Sequence, residues 1–141
     1  MSETEAEIAR IATLIQELGY RAQISGETIS TAMSGWSVLV IVWPGHSIQM
    51  YFGISVDAED GFGLEQANEF NRTHRFAKCY ILEDSARFEG DFYFDVTQPD
   101  AKEKLDRIFL SWEISIGGAR DALNEAKRLH DKRVAAPTPP N

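Results

Sequence analysis

The sequence predicts an α+β fold: an antiparallel sheet of about five strands flanked by helices, in the order α-β-β-β-α-β-β-α. Three observations predict it. Strand-like runs come in groups and helix-like runs stand apart from them, which separates this pattern from a regular β-α alternation. Ile48, Met50, Phe52 and Ile54, and later Phe88, Phe92, Phe94 and Val96, fall on one face of period-two segments. Long amphipathic stretches with three- and four-residue spacing bracket the whole.

Ser2 to Leu18 is the first helix, with Ile8, Ile11, Ala12, Ile15 and Leu18 on one stripe. Thr4 and Glu7 have the spacing of a capping box, and Gly19 is the expected stop. An extended segment follows, with Tyr20, Ala22 and Ile24 alternating against Arg21, Gln23 and Ser25; Thr28 to Ala32 continues it after a turn at Gly26. Trp36 to Trp43 is apolar on both faces and rich in β-branched residues, as a central strand is. Pro44-Gly45 turns it back, because proline presets the first central position of a turn and glycine accepts positive φ at the second. Ser55 to Gly63 is an acidic, glycine-bearing loop, and Leu64, Ala67, Asn68 and Phe70 lie on a short helix.

That helix is expected to stop at Asn71, a residue type that tolerates the left-handed conformation. From Arg75 the period changes to two: Phe76, Lys78 and Tyr80 point one way, Ala77, Cys79 and Ile81 the other. A half-exposed strand follows, with Arg87, Glu89, Asp91 and Asp95 on its polar face; Gly90 on the apolar side leaves room for a ring. Thr97 or Asp100 caps the last helix, whose seam runs Leu105, Phe109, Trp112, Ile116, Ala119, Leu123 and Ala126. Residues 1–133 form one domain by size, and the Pro-rich stretch 134–141 reads as a disordered tail.

A net charge of −8 argues against a general nucleic-acid or anionic-membrane binder, since counterion release needs a basic surface. One cysteine cannot form an internal disulfide, and the acidic N-terminus lacks the regions of a signal peptide, so the expected location is the cytoplasm. No catalytic constellation is present. His46, His74 and His130 have no ligand spacing, Asp57 to Gly61 misses the calcium-loop register by one residue, and no phosphate cradle or nucleophile elbow occurs. Cys79 sits between core-like neighbours and reads as an inert thiol. The expectation is therefore no enzyme, no metal and no cofactor.

The candidate site is the corner from Ala67 to Tyr80. Asn68, Asn71, Arg72, Arg75, Lys78 and Tyr80 crowd polar chemistry there, and the three cations have no acid among them between Asn71 and Tyr80. One account is structural: the asparagines satisfy helix-end backbone groups and the arginines pair with acids of residues 57–69 or 91–95. The other is an anion- or carboxylate-recognising site built on an arginine fork. Arg75 and Lys78 can share a patch only if Arg75 still belongs to the turn or if the strand edge is open. The stretch, Asn-x-Phe-Asn followed by Arg-Phe-x-Lys-x-Tyr, resembles the signature of the YbjN family of bacterial proteins. The resemblance covers about residues 8–130 and implies a sensory-transduction regulator with a fold like the type III secretion chaperones. It assigns no catalytic role to any of these residues.

The expected function is then a non-catalytic regulatory or chaperone-like module that binds another protein, through the sheet face or an exposed edge, with Trp36, Trp43, Tyr51 and Tyr93 as surplus aromatics. The alternative is a small-molecule binder or enzyme with a pocket near Asn68, Arg72 and Arg75. A homodimer is expected as well. The last helix carries Gly117 and Gly118 mid-length, and its seam spans about 32 Å at 1.5 Å per residue, longer than so small a sheet readily covers. Related secretion chaperones are commonly dimers, which the resemblance extends to this chain as an expectation.

Overall fold

Ser2 opens the chain's first helix by accepting the Glu5 amide on its hydroxyl at 3.1 Å. The cap is thus Ser2, two residues before the expected Thr4. The computed structural model describes residues 2–136. Among them run α1 (Glu3–Glu17), β1 (Gln23–Ser25), β2 (Thr28–Met33), β3 (Trp36–Trp43), β4 (Ser47–Ser55), a 3₁₀ turn (Ala58–Asp60), α2 (Leu64–Thr73), β5 (Lys78–Leu82), β6 (Ser85–Tyr93) and α3 (Ala101–Ala135).

α1 ends at Gly19, whose φ of 96° is left-handed; its amide reaches Gln16 O and the Tyr20 amide reaches Ile15 O, the paired bonds of a Schellman stop. The sheet is antiparallel throughout, in the spatial order β1-β2-β3-β4-β6-β5. It has six strands because the turn at Gly26, φ 62°, folds the first extended segment into a hairpin of its own. β3 is central, as its two-sided apolar character required.

One face of the sheet presents Ile29, Met33, Val38, Val40, Val42, Ile48, Met50, Phe52, Cys79, Ala86 and Phe88 to the helices, all buried. Ile8, Ile11 and Ile15 of α1, Ala67 and Phe70 of α2, and Leu105, Phe109, Trp112, Ile116 and Ala119 of α3 close that core. The fold is therefore two layers, with all three helices on one side. Gly90 works as expected. A Cβ there would meet the Phe76 carbonyl and, at 2.9 Å, the Trp112 ring.

Three expectations about α3 are corrected. The α3 seam does not outrun its cover: Leu105 to Ala119 lie on the sheet, and Ala126 is buried beneath the 3₁₀ turn, where a Cβ on Gly61 would stand 2.8 Å from Ala126 O. The helix also continues to Ala135, so Val134 and Ala135, read as the start of the tail, are helical; residues 137–141 lie outside the described residues. At its N-terminus Asp100 makes no side-chain capping bond. Asp95 organises the entry instead, accepting from Thr97 N (3.0 Å), Thr97 Oγ1 (2.6 Å) and Gln98 Nε2 (3.2 Å). Those bonds let it sit buried although strand parity places it on the polar face.

Candidate functional site

α2 runs through Asn71 to Thr73 and ends at His74, whose backbone is extended rather than left-handed. Asn71 is left free for another task. Its Oδ1 accepts the Cys79 amide at 2.6 Å and its Nδ2 donates to the Cys79 carbonyl at 2.9 Å. Both Cys79 groups point away from β6, so the carboxamide stands where the peptide of a further strand would pair. It ties α2 to the sheet and occupies the β5 edge at that point. Cys79 itself is buried, and desolvation pushes its thiol up to about 12, well above the range of a reactive thiolate.

The remaining corner residues divide between two faces. Asn68 and Arg72 lie on the solvent side of α2. Arg72 grips Glu69 by two bonds, Nε to Oε2 at 3.0 Å and Nη2 to Oε1 at 2.6 Å, and this fork holds the Glu69 carboxyl below the usual carboxylate range. Arg75 is exposed in the bend before β5, which meets the condition for sharing a patch with Lys78. Lys78 and Tyr80 project from β5 to the sheet's uncovered face. The groove beside α2, of about 350 Å³, is lined by Phe62, Phe70, His74, Ala126 and Leu129 among others, and by none of Asn68, Arg72 or Arg75.

The uncovered face carries a connected set that the sequence did not single out. Trp43 Nε1 donates to Gln49 Oε1 at 2.9 Å, Gln49 Nε2 donates to Glu89 Oε2 at 2.8 Å, and Tyr80 Oη reaches the same oxygen at 3.4 Å. The residues come from β3, β4, β6 and β5, and the register aligns them: Tyr51 lies opposite both Leu39 and Glu89, Glu89 opposite Lys78, and Arg87 opposite Tyr80. Burial, and then Glu89, raise the Tyr80 pKa, with Arg87 opposing. Arg87 Nε is shielded from solvent and has no hydrogen-bond partner among the described residues. Trp43 is 47 % exposed and Tyr93 70 %. Trp36, expected with them, lies on the helix side. Its ring packs on Phe52 with centroids 5.0 Å apart and holds the Arg120 guanidinium 5.2 Å from the ring centroid.

Chemically, this face offers aromatic surface, a fixed hydrogen-bond chain and a guanidinium with its Nε unpartnered; among the described residues it presents no nucleophile paired with a base. No helix among the described residues is long and apolar enough to cross a membrane.

The family model for YbjN, described as "Putative bacterial sensory transduction regulator", matches residues 7–125. The crystal structure of YbjN from E. coli, there called "a putative transcription regulator", superposes with a TM-score of 0.62 at 9% identity, over 86% of this chain and 91% of that one. At that identity the likeness speaks for the fold. No curated protein matches the chain by sequence. The family model spans most of the length, and the chain belongs to the YbjN family of bacterial proteins.

Proposed function

We propose that the chain is a non-catalytic regulatory module of the bacterial cytoplasm, chaperone-like in working by binding another protein on the uncovered face of its sheet. One observation carries this. All three helices pack on one side, and the other side holds Trp43, Tyr51, Tyr80 and Tyr93 around the Trp43–Gln49–Glu89–Tyr80 chain. Aromatics with a polar handle are the side chains that interfaces favour. The partner segment has apolar side chains for the rings and a carboxylate for the end where Arg87 and Lys78 stand on neighbouring strands. Asn71 disfavours the alternative mode, strand addition at β5, by filling the edge at Cys79. The family's regulatory description supports the role, and the net charge of −8 favours a protein over DNA as the regulated target.

Quantitative capture from the native host tests it, comparing wild type, the face variant Trp43→Ala/Tyr93→Ala and the helix-side variant Arg128→Ala. A protein held by wild type and Arg128→Ala, lost from the face variant, and rebinding when purified is the expected result. Equal capture by all three, or a measured turnover, overturns the proposal.

A further inference from the structure

The outward face of α3, opposite the buried seam, carries a second pattern. Ile114 is 70 % exposed and Leu110 50 %. On a helix, seven residues advance within about 20° of two full turns, so Arg107, Ile114 and Asp121 stand in one line along that face. Arg107 and Asp121 are both exposed, and neither joins an ion pair among the described residues. They cannot meet each other, being about 21 Å apart along the same helix.

The pattern is centred on Ile114. Arg107 lies seven residues before it and Asp121 seven after; Leu110 lies four before, and Gly117 three after. A two-fold axis through Ile114 that sets a second α3 antiparallel to the first makes every one of these relations complementary. Ile114 then meets Ile114 of the second copy, and each Leu110 faces the open place at the other copy's Gly117. Each Arg107 meets the other copy's Asp121, once at either end. A Cβ built on Gly117 would have nothing within 4 Å, so no packing among the described residues explains the missing side chain there.

We propose that two copies of this chain associate through α3 in this antiparallel, two-fold arrangement. The occupant is a second copy because Arg107 and Asp121 each find the opposite charge when the face meets its own reverse. The arrangement leaves the uncovered sheet face of each copy free, on the far side of the helical layer, so the pair presents two such faces pointing outward. Small contact area makes the association reversible, and the paired charges make it weaken with salt.

Sedimentation equilibrium from about 1 to 500 μM tests it on the whole chain, with circular dichroism to confirm the fold of each variant. The expected mass rises with concentration from 15.8 kDa toward twice that, and falls back on adding 0.5 M salt. Ile114→Ser abolishes the rise, and Arg107→Asp or Asp121→Arg alone weakens association at least tenfold. The double variant Arg107→Asp/Asp121→Arg restores it to within about threefold of wild type, because the pairs reform with reversed sign. A wild type that stays at 15.8 kDa throughout overturns the proposal. So does a dimer indifferent to Ile114→Ser, or a double variant no better than the singles. None of these results bears on partner capture by the sheet face, which the open-face variants report separately.

Discussion

Asn71 and Cys79 exchange two hydrogen bonds, 2.6 and 2.9 Å long, across the gap between α2 and the edge of the sheet. A side-chain amide here acts as a piece of backbone. It satisfies the outward donor and acceptor that an edge strand otherwise leaves for a foreign chain.

Asn71→Ala removes both bonds and leaves the partly buried Cys79 groups unmet, for a loss of about 1–3 kcal/mol. Arg75→Ala, at an exposed position with no bonded partner among the described residues, is expected to stay within about 0.5 kcal/mol of wild type. Urea melts of the two variants check the contrast. Equal midpoints would show that Asn71 is not a tie. Faster thioflavin-positive aggregation of Asn71→Ala is expected alongside, since the edge is then open.

Gly117 and Gly118 are neighbours with opposite expectations. At Gly117 a Cβ meets nothing within 4 Å, so Gly117→Ala gains the helix propensity of alanine and stabilises the chain by up to about 1 kcal/mol. At Gly118 a Cβ would stand 2.6 Å from the His74 ring, which is itself stacked on Phe70 with centroids 4.1 Å apart. Gly118→Ala must displace that ring and is expected to destabilise by about 1–3 kcal/mol. Thermal melts at low micromolar concentration decide both signs.

These pairs mark what the sequence could and could not show. Alternation and turn chemistry are local, so the Pro44-Gly45 hairpin, the Gly19 stop and the faces of β4 and β6 were legible. Gly90 was legible as a gap because a glycine on an apolar face asks for a large neighbour, and Trp112 is there. Asn71 was read by its backbone preference for helix ends. Its actual partner lies eight residues on, in a strand whose distance from the helix no propensity encodes. The cover over Ala126 was missed for the same reason, since it depends on Gly61 lying against α3. The chain from Trp43 to Tyr80 needs the register of four strands, and its residues look like ordinary polar-face positions until that register is known.

Tyr20 gives a pH test. Its hydroxyl donates to Glu113 Oε1 at 2.8 Å, and burial followed by that bond and the Glu113 charge push its pKa up to about 12. The folded value lies above the unfolded value near 10, so the bond's contribution is complete below about pH 10 and is lost as pH rises toward 12. In a tyrosinate absorbance titration, one of the four tyrosines is expected to ionise last, and Tyr20→Phe should delete that component. Base-induced unfolding should be steeper between pH 10 and 12 in wild type than in Tyr20→Phe. Coincident titration of both proteins would contradict the assignment.

Asp95 tests the acid side. Hydrogen bonds from Thr97, side chain first and then backbone, hold its carboxyl below the usual value despite burial, with Gln98 and His46 adding to the effect. A depressed folded pKa means stability present above the unfolded value near 3.8 and lost as pH falls through the folded one. Asp95→Asn is expected to be less stable than wild type at pH 7, and the gap should narrow as pH falls below about 4. Urea midpoints at pH 7, 5 and 3 read it. A gap that is constant with pH would mean the carboxylate's charge plays no part.

The three tryptophans separate by environment, and that makes the uncovered face readable in solution. Trp112 is fully buried and Trp36 is packed between Phe52 and Arg120, whereas Trp43 is 47 % exposed, with its indole N–H on Gln49. Iodide should therefore quench chiefly Trp43, and Trp43→Phe should remove most of the quenchable emission. That substitution keeps a ring on the face and is expected to cost under about 1 kcal/mol, the loss of one exposed hydrogen bond. A protein partner seated across Trp43, Tyr51 and Tyr93 must exclude iodide from that indole. Binding should lower the quenching constant at least twofold in wild type and leave the Trp43→Phe protein unchanged. A partner that binds with no change in quenching of wild type sits elsewhere on the molecule. The sheet face would then be a solvated surface, its polar chain serving only to hold four strands in register.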